Sequence, residues 1–378
     1  MQNFAITTRL VCLALSTHLT WGMAQTVTPE DVATGLEHPW AVAFLPQGRF
    51  LVTERPGRMR VIDADGSKGA ALEGLPEVAA SGQGGLLDVI LDTDFERNRR
   101  LYFCFSEPGV GGNSTALARA DLSDDRTRLQ NVQVIFSARP KVASSAHFGC
   151  RIAEGQTHGK PDGLLFMTLG ERFVRKDDAQ RLDNHHGKII RIAKDGRVPA
   201  DNPFVKQVGA LPEIWSFGHR NPQGLTLAPD GALWAHEHGP QGGDEINLIS
   251  PGRNYGWPVV SYGENYGGGA IGAGLTAKDG MTQPLHYWVP SIAPSGMVFL
   301  TSARYGQAWV GHLFVGSLKF AYLNRIELAA AFKGKVVRES RLLADAGERI
   351  RDVRQGPDGL LYVLTDSPRG RLIRLLPK

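Results

Sequence analysis

Cysteine is scarce in this sequence, with three in 378 residues, too few for a disulfide framework. Beyond the N-terminus no run approaches the ~20 continuous apolar residues of a membrane-spanning helix. Long helical periodicity is nearly missing, and no C-x-x-C-H haem attachment occurs. Charge of either sign hardly dominates, since 42 Lys and Arg face 38 Asp and Glu. Such a balance over this length implies no nucleic-acid or membrane partner.

The first 24 residues carry one basic residue, Arg9, then the apolar run LVCLALS, then the small-residue pattern Gly22-Met23-Ala24. That order fits a secretory leader cleaved after Ala24, which predicts a periplasmic or secreted mature chain over 25–378. Loss of the leader removes Arg9 and Cys12, leaving 41 basic residues against 38 acidic ones and two cysteines. Cys104 in LYFCF and Cys150 in HFGCRI both read as strand residues, and buried free thiols are expected there in preference to a bridge.

Glycine is abundant, at 45 residues, and suits tight turns. A pattern of alternating apolar residues, a turn such as Pro-Asp-Gly, and a second apolar run recurs at 40–54, 150–171, 224–237 and 353–366, with looser copies at 85–105 and 296–317. Each reads as a hairpin. Six copies predict an all-β chain, a six-bladed β-propeller of four-stranded antiparallel blades forming one domain. The G-x-G-x-x-G at Gly267, Gly269 and Gly272 lacks the strand-then-helix context of a dinucleotide site and reads as a surface loop.

Loops at one end of a propeller converge on its axis. Gln83, His147, Arg220 with Asn221, the stretch HEHGPQGGDEI at 236–246, Lys319, and Arg349 with Arg351 lie beside successive hairpins and predict a single axial pocket. His236 and His238, two apart, would suit zinc on a strand face, but the Gly239-Pro240 that follows offers backbone oxygens of the kind calcium accepts.

The motifs GQGGLL, SAHFG, GHRNPQGL, GPQGGDEINLISPGRNYGWP, VPSIAPSG, GSLK and RIRDVRQGPDGLLYVLTD resemble the soluble quinoprotein glucose dehydrogenase family, and within it the soluble aldose sugar dehydrogenases. The similarity runs from about Leu36 to the C-terminus, and 218–258 is its most specific part. The resemblance implies a six-bladed propeller that uses calcium and pyrroloquinoline quinone to oxidise the anomeric carbon of aldoses.

On that resemblance, Gly239 and Pro240 give main-chain oxygens to a calcium that also meets the quinone, with His238 beside the cofactor and His236 structural. Lys319, Arg349 and Arg351 would hold the quinone's three carboxylates, which guanidinium forks match two contacts at a time. Gln83 and Asn221 would add neutral hydrogen bonds. His147 would be the general base, Arg220 would stabilise charge developing on the quinone oxygen, and Asp244 would orient His147 or balance nearby cations. Glu245 and the Tyr255 carbonyl would hold a second, structural calcium. His286 and Val289 stand where the glucose enzymes carry aromatic residues, and the glycine-rich 263–274 replaces a longer insertion. Both departures imply an open pocket and a broad aldose range.

Neither the electron acceptor nor the choice between monomer and homodimer is legible. Two readings from other classes remain: a calcium-dependent propeller lactonase, in which metal-bound water attacks, and a non-enzymatic binding propeller.

Overall fold

The computed structural model describes residues 27–378. The expected leader, and its cut after Ala24, lie outside that range. Twenty-four strands form six four-stranded antiparallel sheets. Helix among the described residues is confined to one turn at Phe95–Asn98 and four short 3-10 segments.

The hairpins anticipated from the sequence are the two inner strands of each blade. Blade I begins with β2 (Pro39–Leu45) and β3 (Arg49–Glu54), blade II with β6 (Leu86–Leu91) and β7 (Arg100–Gly109), and blade III with β10 (Ile152–Thr157) and β11 (Lys160–Leu169). Blade IV begins with β14 (Pro222–Leu227) and β15 (Leu233–Glu237), blade V with β18 (Pro294–Phe299) and β19 (Leu313–Ser317), and blade VI with β22 (Ile350–Gln355) and β23 (Leu361–Thr365). The innermost strands pack in cyclic order, with β22 returning to β2. Blade VI takes its outermost strand, β1 (Val27–Leu36), from the opposite end of the chain, where it pairs with β24 (Gly370–Pro377) and closes the ring.

The Pro-Asp-Gly repeat has a local physical cause. In two copies it forms the hairpin turn, where the aspartate Oδ1 accepts the backbone N–H two residues on, Asp230 from Ala232 at 3.1 Å and Asp358 from Leu360 at 3.1 Å; in the third, Asp162 accepts from Leu164 at 2.9 Å but lies within β11, and the turn is His158-Gly159. An aspartate that bridges its own turn in this way nucleates the hairpin locally. Between blades the packing is apolar, as where Trp234 meets Phe299 edge-on at 5.3 Å.

At the axis the packing turns polar. Buried Arg151 donates to Asp88 at 3.3 Å and to Asp352 at 2.9 Å, and Arg354 donates to the same two carboxylates at 2.6 and 3.0 Å. This ring of charges ties blades II, III and VI together. Removing one member would strand a buried charge, at a cost of about 3–5 kcal/mol.

Cys104 and Cys150 are joined by a disulfide, which overturns the expectation of free thiols. Cys104 lies in β7, and Cys150 stands just before β10 in the left-handed region at φ 74°. Alternation in LYFCF shows burial alone, whereas bonding depends on two adjacent blades meeting at this level.

Candidate active site

The N-terminal ends of the innermost strands surround a cavity of about 1050 Å³. Among its lining residues are Gln83, Asn221, His238, Gly239, Pro240, Lys319, Arg349 and Arg351, so eight of the expected residues converge on one space. The loop holding Gly267, Gly269 and Gly272 lies between β16 (Asp244–Ile249) and β17 (His286–Trp288), with no helix after it, and is the surface loop expected.

His147 sits just behind this wall. It precedes β10 in the left-handed region at φ 52°, an uncommon conformation for a non-glycine residue. Two groups hold it there. Its N–H donates to Gln83 Oε1 at 2.8 Å, and Gly170 passes so close that a Cβ would lie 2.2 Å from the His147 carbonyl oxygen. The ring Nδ1 is 3.0 Å from Glu171 Oε1, so Nδ1 carries the hydrogen and Nε2 keeps its lone pair. Burial holds the imidazole below its ordinary value of 6.5 against the upward pull of Glu171, with Arg220 and Arg172 adding to the depression. The ring is therefore a neutral acceptor at physiological pH.

Asp244 does not orient His147. Its carboxylate accepts from Gly239 N at 2.9 Å, Ser291 Oγ at 2.7 Å, Ile292 N at 2.7 Å and Ala293 N at 2.9 Å. Asp244 thus pins the Gly239-Pro240 turn to the 291–293 loop. The orienting carboxylate is Glu171, which only the approach of the segment after β11 to His147 discloses.

Arg220 donates through Nη1 to the carbonyls of His238 at 3.1 Å and Gly239 at 2.8 Å, which lays its guanidinium along the Gly239-Pro240 turn. His238 gives Nε2–H to Pro294 O at 2.6 Å, and burial lowers it to about 3, so it stays neutral. His236 is fully buried, neither ring nitrogen has a hydrogen-bond partner among the described residues, and the ring packs on Gly224, in keeping with a structural residue.

The opposite wall is cationic. Arg351 and Arg349 both reach Asp366 Oδ2, at 2.8 and 3.2 Å, and His38 meets its other oxygen at 3.0 Å. Burial pushes the Asp366 carboxyl up, but Arg351, His38 and Arg349 outweigh it and hold it below the usual carboxylate range. Lys319 is exposed and meets no carboxylate among the described residues. Arg55 adds a fourth cation to the lining, against the single carboxylate of Asp366. Blade I also contributes His38 and Trp40, which the sequence motifs did not mark.

Below Arg220 a small void of about 10 Å³ is lined by Glu237, Glu245 and Tyr255. Burial pushes the Glu245 carboxyl well up, and the neighbouring Glu237 pushes it further. No arginine or lysine pairs with Glu245 among the described residues. Glu237 is met by His219 Nδ1 at 2.9 Å and Arg220 also lines the void, but Glu245 has only Asn247 Nδ2, at 3.3 Å, among the described residues, and the void is large enough for a cation beside it.

The fold and site thus define a class: a six-bladed propeller whose axial cavity suits a polyanionic ligand beside a buried, carboxylate-held base. Residues 36–374 match the family model described as glucose / sorbosone dehydrogenase, and the chain belongs to that family. It is 44% identical over 374 residues, 98% of this chain and 97% of the relative, to aldose sugar dehydrogenase YliI of Escherichia coli (strain K12). The apo-form crystal structure of the soluble aldose sugar dehydrogenase from Escherichia coli superposes with a TM-score of 0.88 at 44% identity, covering 93% of this chain and 100% of that one. The PQQ-bound aldose sugar dehydrogenase of Streptomyces coelicolor gives 0.75 at 28% identity, covering 94% and 98%.

Proposed function

We propose that this protein oxidises the anomeric carbon of aldose sugars to lactones with pyrroloquinoline quinone and calcium. The observation that carries the reading is His147, buried and neutral, with Nδ1 on Glu171, next to a cavity lined by four cations and one carboxylate.

The residues present fit the cofactor. A planar tricarboxylate needs an excess of cations, and Lys319, Arg349 and Arg351 outnumber Asp366, the one carboxylate that Arg349 and Arg351 share. Gln83 and Asn221 spend their side-chain oxygens on His147 N and Gly149 N, which leaves their amide N–H groups for the ligand. For calcium the donors are the carbonyls of Gly239 and Pro240. The turn tolerates only glycine at 239, where a Cβ would come 2.2 Å from Gly242 O. When bound, the quinone and its calcium supply a two-electron acceptor for hydride.

The chain's own part is proton transfer and charge placement. His147 Nε2 takes the proton of the anomeric hydroxyl, and Glu171 stabilises the imidazolium that results. Arg220, fixed by the His238 and Gly239 carbonyls, presents positive charge where negative charge develops. Glu245, Glu237 and the Tyr255 carbonyl hold a second calcium that is structural. The disulfide supports export to the periplasm or beyond, where such bonds persist. The open mouth supports a broad aldose range, with electrons passing on to an external acceptor.

A lactonase would grip its metal by several side-chain oxygens, and no group of three His, Cys, Asp or Glu is placed to hold a metal among the described residues. The test is reconstitution of purified apoprotein with quinone and calcium. Aldose-dependent reduction of an artificial dye without nicotinamide is expected. Activity only with NAD, or lactone cleavage without quinone, would overturn the reading.

A further inference from the structure

His147 is 4% exposed, yet its substrate must reach it from solvent. What covers it is Phe173, whose ring lies edge-on to the imidazole with centroids 5.3 Å apart and planes at 84°. Phe173 is itself 49% exposed, an unusual place for a large apolar ring with no core to fill. Tyr266, 62% exposed, lies 6.4 Å beyond it and lines the cavity mouth.

The backbone under Phe173 is costly to maintain. Arg172 and Phe173 are consecutive non-glycine residues in the left-handed region, at φ 68° and 61°. Strain of this kind persists only where the surroundings impose it. Here they do. The buried Arg172 guanidinium donates to Ala146 O at 3.0 Å, Asn113 O at 3.2 Å, Asn113 Oδ1 at 2.7 Å and Ser144 O at 2.5 Å, and lies 3.8 Å over the Phe148 ring. The Arg172 carbonyl in turn accepts from Ser144 Oγ at 2.8 Å. An anchored arginine thus forces the next side chain outward, over the base.

We infer that Phe173, with Tyr266 beside it, is the aryl platform on which the C–H face of the aldose ring rests, which makes Phe173 a specificity-determining residue and Arg172 the positioning residue that aims it. The faces of a pyranose are apolar, and an aromatic ring offers them contact while leaving the hydroxyls free. A sugar lying on Phe173 has its anomeric hydroxyl within reach of His147, because the aromatic ring and the imidazole already touch. This inference rests on the sugar oxidation proposed above.

The test uses the full chain loaded with quinone and calcium, comparing wild type with Phe173→Ala, Phe173→Trp and, in case alanine unsettles the strained turn, Phe173→Leu. Quinone affinity is titrated by fluorescence on each apoprotein. The expected result is a rise in aldose KM of about tenfold or more in the alanine and leucine variants, kcat changed less than KM, quinone affinity kept, and KM recovered by tryptophan. A KM within twofold of wild type in the alanine or leucine variant overturns the inference. So does a fall in kcat alone, which would make Phe173 only a shield for His147. A wild-type holoenzyme that no aldose reduces would sink the parent reading together with this one, and that result differs from a variant-specific failure.

Discussion

Blades II to IV hold His147 at 4% exposure behind Glu171 and Phe173, whereas blades V and VI present Arg349 with 54% of its side chain exposed and Lys319 with no carboxylate partner. The first wall is buried and strained. The second is wet and under-partnered. A base must be desolvated before substrate arrives to keep its lone pair free, so its environment is built into the fold. Cations that bind an anionic cofactor can stay in water, because the ligand itself brings their counter-charge and displaces that water. Within the cationic wall the same logic separates Arg351, 11% exposed and fixed on Asp366, from its exposed neighbour.

The sharpest way to break this comparison is His147→Gln. Quinone affinity should be kept, since the carboxylates are held elsewhere, while stopped-flow reduction with excess aldose slows on the order of 10²-fold or more. A wild-type reductive rate would move the base to another residue. The opposite wall should respond in binding. Arg351→Ala removes a largely buried guanidinium and should weaken quinone affinity by about 2 kcal/mol or more. Arg349→Ala, being exposed, should cost less than about 1 kcal/mol. Equal losses at the two positions would contradict the burial argument, and excess quinone should restore both variants.

A smaller effect tests the coupling inside the buried wall. Glu171 holds the imidazole up against burial, so the acid limb of kcat/KM should lie below pH 6.5 in the wild type. In Glu171→Gln that upward pull is lost, and the limb should move to lower pH with a rate loss of about tenfold at neutral pH. A limb moving upward would show that burial is not what depresses His147. The smallest effect concerns the void below Arg220. Calcium should raise the melting temperature of the wild type by a few degrees. Glu245→Gln should abolish that increment while raising the melting temperature of the calcium-free protein, because it removes a carboxylate that burial and the neighbouring Glu237 both disfavour. An unchanged calcium increment would empty the site of its proposed ion.

Gln83, Lys319, Arg349 and Arg351 could be assigned before any coordinates, because each follows or precedes a recognisable hairpin and the propeller brings such positions to the axis. Asp244 was misread for a related reason. Its place in DEINLI marks it as buried and polar, but four donors, three of them from a loop some 50 residues later, decide what it holds. Glu171, Arg172 and Phe173 carry no motif of their own. Their roles arise where the end of one blade's second strand crosses the start of its first.

Alternation of apolar residues and the Pro-Asp-Gly turns determine the strands, the hairpins and the count of blades, because these depend on contacts a few residues long. Spacing cannot disclose that Cys104 meets Cys150, that β1 closes the ring on β24, or that Glu171 rather than Asp244 holds the base. Those pairings join segments whose separation in the chain says nothing of their distance in space. Only closure of the ring, which places six strand ends around one axis, decides them.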